Sequence, residues 1–190
     1  MRLYSRISLI FLLLFSINLF AFGQNIRKEE KPPINERLFF GGSFGMQFGT
    51  VTYIDVSPIV GLWVLPRVAI AAGPSFTYYK NKFIDAETSL YGGRFYTQYL
   101  FIQDLDNVFP IGLHTGIFFH LEDELLSLES KYWKNQYASG RFIANNVLIG
   151  GGIRQQIGNR SFLHLTALWT IHDAGYFVHE SPEIRISFSF

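Results

Sequence analysis

The residues with the widest chemical capacity are three histidines, His114, His120 and His164, each at an even-numbered position in a segment where apolar residues alternate with small or polar ones. A β-strand turns alternate side chains to the same side, so all three would share a face. Imidazoles on one face can ligate a metal ion; with Ser57 or Ser75 as nucleophile and Asp55 or Glu122 as the orienting acid, they can also form a hydrolytic constellation. The plainer alternative makes them hydrogen-bonding members of a polar interior, and it is favoured because a filled interior needs many such partners. His114, His120 and His164 therefore stand as catalytic candidates only, and no metal or cofactor is expected. The chain has no Cys, and it lacks a P-loop, a Rossmann fingerprint after a strand, His-Glu-x-x-His and Gly-x-Ser-x-Gly.

A second set of residues carries charge on the same face: Asp55, Glu183, Arg94, Arg154 and Arg185, with Glu122 placed near the rim. Three acids against three bases can neutralise one another. Buried and unpaired they would be prohibitively costly, so the expectation is a hydrogen-bonded ion network. Glu122-Asp123-Glu124 also starts a long exposed loop, 122–140, that runs through Tyr132-Trp133-Lys134-Asn135-Gln136-Tyr137. An acidic start and an aromatic tip could contact an extracellular partner, a glycan or a divalent ion. The alternative is a solvated loop whose aromatics lie on a rim or on lipid.

What must position these residues is a set of strands. Period-two alternation recurs in Leu38–Phe48, Tyr53–Val64, Val68–Tyr79, Tyr91–Phe101, Phe109–Leu121, Ile143–Arg154, Ser161–Ile171 and Glu183–Phe190, while a helical period is largely missing. In Tyr53–Val64, for example, Ile54, Val56, Val60, Leu62 and Val64 oppose Tyr53, Asp55, Ser57, Gly61 and Trp63. Each segment has about the length needed to cross a bilayer at a tilt. If the first strand runs outward, the inner turns are Leu65–Arg67, Ile102–Asn107 and Gln155–Arg160. The opposite connections are Gly49–Thr52, Lys80–Leu90, Glu122–Gly140 and His172–Pro182, most of them longer, which is the asymmetry of membrane barrels.

Composition agrees. Of 190 residues 48% are hydrophobic and 17% aromatic, but only 16% are charged, against roughly a quarter in an ordinary soluble domain. A formal charge of +1 leaves no basic face for nucleic acid and no acidic tail, and 20 Phe exclude disorder. Met1 to Gly23 reads as a secretory signal, with Arg2 and Arg6 before the apolar run Ile7 to Phe22 and small residues at Ala21 and Gly23. Its alternative, an uncleaved anchor, suits a longer run without Ser16 and Asn18. Residues 24–36, with Pro32 and Pro33, read as a flexible periplasmic lead-in, and 37–190 as one domain.

Backbone groups facing hydrocarbon must all pair, which requires closure; eight strands enclose a lumen that side chains fill. The expected fold is therefore all-β, an eight-stranded antiparallel up-and-down transmembrane β-barrel behind an N-terminal signal peptide. Inward glycines such as Gly41, Gly73, Gly150 and Gly152 would make room for large polar side chains, and Trp63, Tyr78, Phe101, Phe109 and Trp169 would form interfacial girdles. A soluble lipocalin-type barrel would instead need a charged outer face, which this chain lacks.

The ending Arg185-Ile186-Ser187-Phe188-Ser189-Phe190 resembles the C-terminal signal of outer-membrane barrels. With the Gly-rich first strand, Tyr53-Ile54-Asp55-Val56-Ser57-Pro58, Tyr91-Gly92-Gly93-Arg94 and Gly150-Gly151-Gly152-Ile153-Arg154, the stretch 37–190 is similar to the small outer-membrane β-barrel proteins common in Bacteroidota. The resemblance implies residence in the bacterial outer membrane, contact with its lipid, and Ile186, Phe188 and Phe190 as an assembly signal read by the barrel-assembly machinery. It implies no defined activity; the alternation, the loop asymmetry and the terminal Phe lead to the expectation of a structural or surface-interaction role. A lipid-modifying hydrolase or acyltransferase using the inward histidines is the alternative, and a narrow solute pore follows it.

Overall fold

The computed structural model describes residues 32–47, 51–83, 85–110, 112, 114–134, 137, 139–173 and 182–190, so the expected signal segment and the lead-in as far as residue 31 lie outside the described residues. The chain divides between Pro33 and Ile34 into two units, the second of which is Ile34–Phe190. In the second, one helical turn, α1 (Ile34–Arg37), precedes eight strands: β1 (Leu38–Gln47), β2 (Val51–Leu65), β3 (Val68–Asn81), β4 (Ala86–Ile102), β5 (Thr115–Glu129), β6 (Arg141–Gln156), β7 (Phe162–His172) and β8 (Glu183–Ser189). Each pairs antiparallel with its neighbours in sequence, and β1 pairs with β8 to close the barrel. At that seam Phe40 and Phe190 exchange two backbone hydrogen bonds of 2.9 Å. We call the end holding Leu38 and Phe190 the lower end.

Alternation sorts the wall into two faces. Outward side chains include Phe44, Val60, Phe76, Phe95, Leu121, Ile153, Leu165 and Ile186, all substantially exposed. Inward neighbours include Asp55, Ser75, Arg94, His120, Asn146, Thr166 and Arg185, all buried. Because side chains alternate with period two, a slip of one residue in any strand would exchange these sets.

Four expectations change. β5 starts at Thr115 rather than Phe109 and continues to Glu129; before it, Leu105–Asn107 forms a 3-10 turn capped by the Asp104 side chain accepting from the Asp106 amide. The connections then show no simple asymmetry, since the lower set spans 66–67, 103–114 and 157–161 and the upper set 48–50, 82–85, 130–140 and 173–182. Trp63 belongs to no outer girdle, because its odd position in β2 turns it inward, where its ring lies 6.0 Å from that of Phe39. Finally, a Cβ on Gly73 or Gly150 would collide with the carbonyl of Pro58 or Ala167. These glycines permit close approach of adjacent backbones in a narrow barrel, whereas Gly61, facing the ring of Phe39, makes room for a side chain.

Candidate functional site

The lumen has three levels, the upper two filled by side chains and the lowest holding a cavity. At the upper end Tyr53, Tyr79, Leu90, Leu126, Leu128 and Ala144 form an apolar plug, with Val51, Phe142 and Trp133 packed on it. Trp133 comes from the helical turn α2 (Ser130–Trp133), and its ring is 5.3 Å from that of Tyr79.

Below the plug lies an ionic layer supplied by β2, β4, β5 and β8. Arg94 is its hub: Nη1 donates to Asp55 at 2.6 Å and to the Ser57 hydroxyl at 2.7 Å, and Nε donates to Glu124 at 2.7 Å. Asp55 also accepts from Ser57 and from Thr77, the latter at 3.0 Å. Arg185 is the second hub, with Nη1 bonded to Glu122 at 2.7 Å and Nε to Glu183 at 2.6 Å. Glu122 joins the hubs, because Arg94 Nε is also 3.4 Å from its carboxylate. Among the described residues Arg94 Nη2 is buried with no partner. Burial of this kind demands near-complete pairing, since a charge stripped of water and partner costs several kcal/mol.

The structure thus brings together Asp55, Arg94, Glu122, Glu183 and Arg185. Glu122 is only 2% exposed and sits deep in the barrel, not near its rim. Arg154 does not join them. Its register partners are Gly116 and His164, well below the layer, and its guanidinium lies 4.0 Å from the centroid of the Phe162 ring and 5.4 Å from that of Trp63. In its place stand Glu124, which also faces Asn146 at 3.4 Å, and His120, whose Nε2 lies 3.0 Å from Glu122. Four carboxylates therefore surround two guanidiniums and one imidazole.

The histidines do not meet as a catalytic group. His114 precedes β5 at the lower end, where its exposed ring bonds Asp104 at 2.9 Å. That contact raises the His114 pKa above its ordinary value and lowers that of Asp104. His120 packs on Tyr96 with ring centroids 4.6 Å apart and planes inclined at 35°, and its Nδ1 is on the Gln98 amide at 3.1 Å. His164 Nε2 is 3.0 Å from the Ser189 hydroxyl, a Ser-His contact, but among the described residues its buried Nδ1 has no partner, and none of their carboxylates fixes the tautomer as a triad requires. Ser57 serves Asp55 and Arg94 instead of a histidine. Among the described residues no group of three His, Asp or Glu is disposed to hold a metal ion.

The proposed loop at 122–140 is also redrawn. Glu122, Asp123 and Glu124 lie within β5, two turned into the lumen and Asp123 turned out, where it accepts a hydrogen bond from Asn145 of β6. The connection proper begins at α2, and of its aromatics Trp133 belongs to the plug while Tyr137 is 89% exposed.

Beneath the ionic layer is a cavity of about 180 Å³, walled by Phe39, Ile59, Trp63, Tyr96, Gln98, Phe162, His164 and Ser187 among others. A scan of protein-family models finds none that matches the chain, and a search of curated proteins finds no similar sequence.

Proposed function

We propose that this chain is an integral outer-membrane β-barrel protein with a structural or surface-interaction role and a lumen closed to ion flow. One observation carries the reading: the outward face of a closed barrel is mainly apolar on all eight strands, while Asp55, Arg94, Glu122, Glu124 and Arg185 are buried inside it. Water would favour the opposite arrangement, whereas hydrocarbon tolerates only a wall whose backbone groups are all paired and whose outer side chains are apolar. Strand β8 supports delivery by the barrel-assembly machinery, because Ile186, Phe188 and the terminal Phe190 all face outward and are exposed.

Closure of the lumen rests on the plug, where Leu90, Leu126, Leu128 and Ala144 have no exposed surface. Recovery in the outer-membrane fraction with heat-modifiable gel mobility tests the placement, and a freely soluble product would overturn it. Planar-bilayer recordings test the closure, with no steady conductance expected.

A further inference from the structure

The lower cavity is enclosed by materials that suit a specific kind of guest. Flat rings form much of its wall: Phe39 and Trp63 are inclined at 47° to each other, and Tyr96 and Phe162 line it with them. Three hydrogen-bonding groups on the same wall have spare capacity. The Tyr96 phenol and the Ser187 hydroxyl make no hydrogen bond among the described residues, and Gln98 gives one amide atom to His120 and keeps the other. Tyr96 and Gln98 are each only 8% exposed, and both line the cavity. Groups in that state gain most from a partner that completes their hydrogen bonds.

Charge selects the guest further. The formally charged side chains on the cavity wall are Glu36 and Arg160, opposite in sign, and Arg160 is already held by the backbone carbonyl of Glu36 at 3.1 Å. Nothing favours an anion or a cation. The volume exceeds the roughly 150 Å³ of an engineered cavity that holds benzene. Access is from the lower end, because the ionic layer and the apolar plug occupy the lumen above.

We propose that this cavity is a binding site for a small neutral ring compound bearing a hydroxyl or ring N–H, the chemical class of phenol, with the ring against Phe39, Trp63 and Phe162 and the polar group on Tyr96, Gln98 or Ser187. The site gives the barrel a ligand-binding function that membrane residence alone does not require, and it belongs to the folded barrel whatever its location.

The test uses the full folded protein in lipid nanodiscs, with fluorine NMR of para-fluorophenol as the readout and empty nanodiscs as the control for partition into lipid. A saturable bound signal absent from empty discs is expected. Fluorobenzene, of similar shape but without the hydroxyl, should bind at least fivefold more weakly. Ser187→Leu, which fills the cavity, should weaken binding about tenfold or more, and Tyr96→Phe, which keeps the ring and removes one donor, about threefold to tenfold. Folding of each variant is read from its heat-modifiable mobility; should Ser187→Leu not fold, Tyr96→Phe and the fluorobenzene comparison decide. A response that only rises linearly, as in empty discs, overturns the proposal. Equal affinity for the two probes together with an unchanged Tyr96→Phe affinity overturns it as well.

Discussion

Leu126 and Glu124 are neighbours on the same face of β5, and neither has any exposed surface, yet their surroundings solve the problem of filling a barrel in opposite ways. Around Leu126 only volume and shape must match, so any partner of the right size serves. Around Glu124 each group needs a particular donor or acceptor at the right distance, and the removal of one partner exposes the rest to the cost of a buried unpaired charge. The plug is tolerant; the ionic layer is exacting.

The sharpest way to break that contrast is Arg94→Leu. It leaves Asp55 and Glu124 without their main cation and should cost about 3–5 kcal/mol in urea unfolding of the bilayer-inserted protein. Replacing Asp55, Arg94 and Glu124 together with apolar residues of similar volume should cost much less than that single change. A near-neutral Arg94→Leu would show that the layer is solvated. Next in size, Leu126→Ala should cost about 3 kcal/mol through the cavity it opens, whereas Leu126→Met should stay under about 1.5 kcal/mol in the same assay. Similar losses for both would remove the tolerance ascribed to the plug.

The outer face offers a third test. Asp123 interrupts the apolar belt with a carboxylate whose described partner is Asn145. In a bilayer Asp123→Leu should gain roughly 1 kcal/mol, because a carboxyl facing lipid is unfavourable. No gain would show that this stretch meets water or another protein.

The smallest effect belongs to the exposed His114–Asp104 pair. With the His114 pKa raised, its contribution is complete below the unfolded imidazole value of about 6.5 and is lost as pH rises through the folded value. The Asp104 pKa is lowered, so its contribution is complete above the unfolded carboxylate value of about 3.9 and is lost as pH falls through the folded value. Between those limits the pair is intact. An NMR titration should show the His114 pKa falling in Asp104→Asn, and no change would mean the contact is not populated in solution.

Much of the fold was legible because two different environments on the faces of a strand impose a period of two, and that period survives without any knowledge of the partner strands. Asp55, Arg94 and Arg185 could be placed inward by parity alone. Glu124 could not, because Glu122-Asp123-Glu124 puts acid on both faces and so imitates a solvated loop. The alternation in fact resumes beyond it, with Leu126 and Leu128 inward, and extending the period through the acidic stretch would have found β5 and the plug together. Arg154 shows the complementary limit. Parity gives the face, but height along the barrel depends on register between strands, and that sets Arg154 beside Phe162 and away from the carboxylates. The meeting of His120 with Tyr96 and Gln98 depends in the same way on how β4 and β5 align.

The seam between Phe40 and Phe190 has a consequence in time. Seven of the eight strand pairings join segments that follow one another along the chain, and they can form as local hairpins. The eighth joins the first strand to the last. Until β8 emerges, β1 has no partner on one edge, and the growing sheet presents unpaired backbone together with a full apolar wall. Such an intermediate is prone to add strands from other chains. Closure therefore waits for β8 and is a single late event that removes both open edges at once.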